Sequence, residues 1–217
     1  MKHTFLAIAA LALLGACGGP DTPDATGFIT PGAAVPEGAS QEAGDVPRDD
    51  YGRPFTYAFL GKRLPAFSGT MLDGSAFSTA DLEGQWTVID VWGLWCGDCV
   101  ADAPYVAEFA TQAAQDPELA FLSIHTPPNA KRVSEAFGKY DSAQDYFNEK
   151  GYSYPTLMDT DASIRDALEI AWTPSYLLVA PDLTVQGFRS ELSAADGDAV
   201  AAFLDDIARV RAAYKAS

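Results

Sequence analysis

Residues Trp86 to Trp92 read Trp-Thr-Val-Ile-Asp-Val-Trp, a dense β-type run broken by a single carboxylate. Shortly after it, Cys96-Gly97-Asp98-Cys99 opens a segment patterned as a helix to about Ala114. A strand that passes almost at once into a helix restricts the chain to folds in which helices lie against a sheet. Two thiols sit at the junction. A pair spaced this way can close a small disulfide ring or share one nucleophile, and an aromatic residue just ahead of it, here Trp95, marks a redox site more often than a structural staple.

The rest of the chain extends the same alternation. Thr70 to Ser78 is a hairpin turning at Asp73-Gly74, and Leu119 to Ile124 is another buried strand. Val133 to Lys150 reads as helical, with Phe137, Tyr140 and Phe147 in rough 3.6-residue phase. Short strands follow at Thr156–Met158, Ser175–Val179 and Thr184–Phe188, with a small helix at Ser163–Leu168. The last helix carries Val200, Phe203, Leu204, Ile207, Val210 and Tyr214 on one face. These elements predict one α/β domain over residues 58–217 with a central mixed sheet flanked by helices.

Ahead of the domain, Met1-Lys2-His3 and the apolar run from Phe5 to Leu14 form a short basic start and a stretch too brief to span a bilayer. This reads as an export signal over residues 1–16. Leu14-Gly15-Ala16-Cys17 is similar to a bacterial lipobox, which makes Cys17 the expected lipid-modified residue. Gly18, where Asp would retain a lipoprotein at the inner membrane, leans towards the outer membrane of the cell envelope. Residues 17–57, rich in Gly, Pro, Ala, Asp and Thr, read as a lipid-anchored flexible linker. Export would place Cys96 and Cys99 in an oxidising, periplasm-facing compartment. A loop of four residues closes too little chain entropy to staple a fold of this size, so catalysis is the better reading of the pair. The formal charge of −16 argues against nucleic acid and against electrostatic attraction to anionic lipid.

The stretch from Val88 through Trp92-Gly93-Leu94-Trp95 to Cys96-Gly97-Asp98-Cys99 resembles the active-site strand and helix of thioredoxins. Pro104, five residues past the second cysteine, and Thr173-Pro174, ahead of an apolar strand, extend the likeness. Leu64-Pro65-Ala66-Phe67 and the extra segment around Val133–Asp159 are similar to the membrane-anchored TlpA/ResA branch. The resemblance implies a thioredoxin-like fold with an N-terminal β-hairpin extension, an inserted segment, and a cis peptide before Pro174. It also implies that Asp90 is the buried carboxylate of the family, although the TlpA/ResA branch often carries Asn there; an acid at the sheet edge is the alternative.

The chemistry of these residues supports a division of labour. Cys96, at a helix N-terminus, would be the exposed nucleophile whose thiolate the helix dipole favours. Cys99, one turn on and more buried, would resolve the mixed disulfide, and Asp90 would shuttle its proton. Trp95, Gly97, Asp98, Thr173 and Pro174 are the expected substrate-contacting residues, with the Thr173 backbone pairing to an extended peptide. Asp98 stands where the family commonly has Pro. A carboxylate about 7 Å from the Cys96 sulfur would disfavour the thiolate by roughly 2 kcal/mol at an effective dielectric near 20, and by less where solvent screens it, which makes the dithiol a stronger reductant. Asp98 could instead simply suit the helix's first turn. His125, at a strand end before Thr126-Pro127-Pro128, reads as a surface loop residue.

No cofactor is expected beyond the Cys96–Cys99 couple, and no metal site, because there is no second cysteine pair to complete tetrahedral zinc. The leading expectation is an anchored thiol:disulfide oxidoreductase that reduces protein disulfides, with cytochrome c apoproteins among its candidate clients and a membrane thiol carrier as electron donor. A disulfide oxidase or isomerase, and a Cu(I)-binding protein using the same thiols, are the alternatives.

Overall fold

The computed structural model describes residues 27–37, 39, 46–193 and 197–215. Among these, seven strands form one sheet: β1 (Ser68–Met71), β2 (Ala76–Ser78), β3 (Trp86–Trp92), β4 (Leu119–His125), β5 (Thr156–Met158), β6 (Ser175–Val179) and β7 (Val185–Ser190). Their spatial order is β2-β1-β5-β4-β3-β6-β7. β3 runs parallel to β4 on one side and antiparallel to β6 on the other, which makes the sheet mixed. The helices are α1 (Gly97–Ala113), α2 (Ala143–Lys150), α3 (Ser163–Ala167) and α4 (Ala199–Lys215).

Because side chains alternate across a strand, β3 feeds two cores. Trp86, Val88 and Trp92 join Val106 and Phe109 of α1 and Phe203 of α4. Ile89 and Val91 join Leu157, Ile164 and Leu168 on the opposite face. Each such side chain, once fully buried, contributes about 1.5–3 kcal/mol relative to exposure. Residue 90 therefore shares the face of Trp86, Val88 and Trp92, beneath α1, and Asp90 lies in the sheet's interior rather than at its edge.

The β1–β2 hairpin forms as its sequence suggests, turning through Gly74 at a φ of 88°, and β1 also pairs antiparallel with β5. Val133–Lys150 is not one helix. A 3₁₀ turn at Val133–Glu135 stops at Gly138, whose φ is 56°, and α2 starts afresh behind Ser142, whose side chain accepts from the Asp145 N–H. Gly138 breaks the pattern because a Cβ there would lie 2.5 Å from the Leu94 carbonyl oxygen.

Parts of the expected flexible linker over residues 17–57 are packed against the domain. Ile29 exchanges two backbone hydrogen bonds with Phe188 of β7, at 2.8 and 3.0 Å. Phe28 is buried against Phe203 and lies over Gly187, where a Cβ would come within 2.8 Å of its ring. Further along, the Asp49 carboxylate accepts from the backbone N–H groups of Tyr51 and Arg53, and Tyr57 stacks on Phe188. The apolar residues Phe28, Ile29 and Tyr57 explain the departure, since burying them offsets the ordering that a Gly/Pro-rich segment resists. Cys17 and the expected export signal lie outside the described residues. Among the described residues, no helix is long and apolar enough to cross a membrane.

Candidate active site

β3 delivers the chain to a short loop that is held from three sides. Gly93 fits only as glycine, because a Cβ would lie 2.6 Å from the Thr126 carbonyl oxygen and collide with the Trp95 indole. The Trp95 indole N–H donates to that same carbonyl at 2.8 Å, and the Leu94 N–H donates to His125 Nε2 at 3.3 Å. Trp92 packs beneath, its indole N–H donating to Ser123 Oγ.

The loop ends at Cys96, which caps α1: the Cys99 N–H points at Cys96 Sγ at 3.2 Å. An unpaired helix N–H aimed at the sulfur, together with the helix dipole, favours a thiolate there when the pair is reduced. In this structure Cys96 and Cys99 are joined as a disulfide, with Cα atoms 5.3 Å apart. Cys96 Sγ lies 3.3 Å from the Thr173 carbonyl oxygen, and the Thr173–Pro174 peptide is cis. Helix α1 carries Pro104 in its interior and buries Cys99, Asp102, Val106 and Phe109 along one face.

Cys96 is less open than its expected role as an exposed nucleophile. It is 7% exposed against 2% for Cys99, with its sulfur bonded to Cys99 and set against the Thr173 carbonyl. It nevertheless lies in a depression of about 410 Å³ that it shares with Trp95, Asp98, Arg165, Trp172 and Thr173. Gly97 and Asp98 are exposed on the rim. Asp98 acts on its surroundings: burial first, then the nearby Asp98 and Asp102, push the Glu191 carboxyl up.

Behind the disulfide the register of five strands aligns a buried polar row. Thr156, Ser123, Asp90, Tyr176 and Arg189 are successive partners across β5, β4, β3, β6 and β7. All are at most 2% exposed. One Asp90 oxygen has no hydrogen-bond partner among the described residues. Burial, and then the nearby Asp102 charge, hold the Asp90 carboxyl well above the usual carboxylate range. Asp102, one turn beyond Cys99, accepts from Tyr176 Oη at 2.8 Å and from the Leu192 and Ser193 N–H groups at 2.6 and 2.8 Å. It thus ties α1 to β6 and to the loop after β7. Burial, with Asp90 and Asp102 adding to it, pushes the Tyr176 phenol up.

His125 is not a surface loop residue. It is the last residue of β4, 1% exposed, with its ring between Trp92 and Phe137. Burial lowers its pKa to about 4, so it sits neutral and lends Nε2 to the loop before Cys96. Asp102, Tyr176, His125 and Arg165 are the surroundings that sequence reasoning missed. Asp102 carried a readable signal, since a residue three after Cys99 must share its helix face. Among the described residues no group of three or more His, Cys, Asp or Glu side chains is placed to hold a metal ion.

Residues 59–187 match the model of the Redoxin family. The soluble secreted antigen MPT53 of Mycobacterium tuberculosis is 27% identical over 118 residues, covering 54% of this chain and 61% of that protein. The thiol-disulfide oxidoreductase ResA of Bacillus subtilis is 23% identical over 123 residues, covering 56% of this chain and 62% of that protein. The chain thus spans less than two thirds of the length of these relatives. Among solved structures, the thioredoxin domain of a thiol-disulfide oxidoreductase from Bacteroides vulgatus superposes with a TM-score of 0.50 at 20% identity, over 71% of this chain and 96% of that one. That likeness shows a thioredoxin-like fold.

Proposed function

The chain belongs to the redoxin family, as a thioredoxin-superfamily protein of the TlpA/ResA-like kind, and from that premise we propose that it reduces protein disulfides through Cys96 and Cys99. The observation that carries the reading is the placement of the Cys96–Cys99 disulfide. Its first sulfur caps α1 in a depression, beside the Thr173 carbonyl, and its second lies sealed behind.

In the reduced protein the Cys96 thiolate attacks a client disulfide, forms a mixed disulfide and releases one client thiolate, which takes up a proton. Cys99 then gives up its proton and attacks the Cys96 sulfur of that mixed disulfide. The Cys96–Cys99 bond forms, the second client thiolate leaves, and two electrons have passed from the dithiol to the client. Asp90, buried with an orphan oxygen and a raised pKa, is the group proposed to take the Cys99 proton. The backbone of Thr173, whose carbonyl lies 3.3 Å from Cys96 Sγ, pairs with the client's extended strand, while Trp95, Gly97 and Asp98 form the rest of the contact surface.

The basic-then-apolar start and the Cys17 lipobox support an exported, lipid-anchored protein facing the periplasm, with Gly18 leaning towards the outer membrane. In that compartment a membrane thiol carrier would return the electrons, and cytochrome c apoproteins are one client class. The direct test is reduction of insulin with dithiothreitol as the electron source. Wild type accelerates precipitation of the insulin chains and Cys96→Ser does not; an inactive wild type rejects the reading. The direction of electron flow is tested by the reduction potential. A value near about −270 mV supports a reductase, whereas one near about −120 mV overturns it in favour of an oxidase on the same couple.

A further inference from the structure

Resting on that reading, we propose that Arg165 forms a carboxylate-binding subsite beside Cys96, selecting client peptides that carry an acidic side chain next to their reactive cysteine. Three observations carry this. First, Arg165 lines the same depression as Cys96, Asp98 and Thr173. Second, its guanidinium is held in place: Nε donates to the Ile170 carbonyl at 3.3 Å, Nη1 reaches the Pro127 carbonyl at 3.5 Å, and the group stands 5.7 Å above the Trp95 ring. The backbone that carries it is pinned as well, since the buried Asp159 accepts from the Ile164 and Arg165 N–H groups and from the Thr126 hydroxyl. Third, the chain has 30 acidic residues against 14 lysines and arginines, yet among the described residues this guanidinium makes no ion pair. Burial lowers the Arg165 pKa, and the nearby Asp166 and Asp159 oppose that shift without pairing with it.

A surface arginine ordinarily loses side-chain freedom when it binds a carboxylate, and that loss cancels much of the gain. Arg165 has already lost it. Its Nη2 donates to no group among the described residues, which leaves a donor available on a side chain that lines the same depression as Cys96. A guanidinium is suited to planar carboxylates and is favoured over aromatic rings, as it stands here over Trp95. Asp98, on the same rim, carries the opposite charge, so an acidic client residue is attracted at the Arg165 end and repelled at the Asp98 end. The pair therefore orients an extended peptide along the Thr173 backbone as well as selecting it.

The test uses two synthetic disulfide peptides that are identical except for Glu or Gln beside the cysteine, each mixed with the reduced protein at low salt. Wild type is expected to reduce the Glu peptide about tenfold faster than the Gln peptide, with the preference shrinking as salt is raised. Arg165→Gln brings the ratio close to one, Arg165→Glu takes it below one, and Arg165→Lys retains part of it. The ratio is the proper readout, because any effect of Arg165 on the Cys96 thiolate alters both rates equally and cancels. Equal rates in wild type, or an unchanged ratio in Arg165→Gln, overturn the subsite while leaving the reductase reading intact. A wild type that reduces neither peptide overturns both.

Discussion

The two sides of the Cys96–Cys99 pair use the same residue types to opposite effect. On the open side Asp98 is exposed at the rim of the depression and faces water. On the sealed side Asp90, a carboxylate of the same kind, is 2% exposed and is held well above its usual range by burial and by Asp102. The open side also has Arg165 and the Thr173 backbone, the groups proposed to recognise a client. The sealed side has Asp102, Tyr176 and His125, buried groups that hold the scaffold together. Burial, more than residue type, separates the carboxylate proposed to manage a proton from the one proposed to steer.

The largest test of this contrast is Asp102→Ala. It strands the Tyr176 hydroxyl and two backbone N–H groups, and the expected loss is about 3–4 kcal/mol in urea unfolding. A loss under about 1 kcal/mol would mean that the sealed side is not held together by this carboxylate. Next comes His125. Its folded pKa of about 4 lies below the ordinary 6.5, so the unfolded chain takes up the proton first. Stability is therefore fully present above pH 6.5 and is lost as pH falls towards 4, by roughly 3 kcal/mol in total. Comparing wild type with His125→Gln between these pH values isolates the effect, and parallel curves would refute it.

Asp90→Asn cannot take a proton, and turnover should fall about tenfold or more, with a flattened pH profile. The same variant should be more stable than wild type at neutral pH. Because the folded pKa of Asp90 is raised, its ionisation opposes folding increasingly as pH climbs above the ordinary 3.8, and the advantage vanishes below that value. Unchanged turnover would remove Asp90 from the chemistry and leave it a structural acid. The smallest effect is expected for Asp98→Asn, within about threefold in rate and reduced further by salt, because water screens an exposed charge. A large, salt-insensitive change there would erase the distinction between the two sides.

Local features of the fold were legible without coordinates. The run Trp86–Trp92, the helix behind Cys96, the hairpin at Gly74 and the small strands all follow from spacing and turn chemistry acting over a few residues. Failures came where distant segments met. Val133–Lys150 carried a helical phase, yet Gly138 had to adopt a left-handed turn against Leu94, some 40 residues away in sequence. Phe28 looked like part of a tether, and only the bare surface of Gly187 made a place for it. His125 looked like a loop residue because Pro127 and Pro128 follow it, whereas Trp92 and Phe137 close over it.

The amino-acid order by itself determined that two thiols stand at a strand–helix junction, one turn apart, with a lone carboxylate in the strand before them. Strand alternation and helical period are properties of the backbone, and they act wherever the chain ends up. Only the tertiary structure decided what those groups face. Strand register brought Ser123, Tyr176 and Arg189 into line with Asp90, and the packing of α3 set Arg165 over Trp95 at the lip of the site. Such partners depend on which distant surfaces bury each other, and their burial in turn sets the solvation that governs each group's charge.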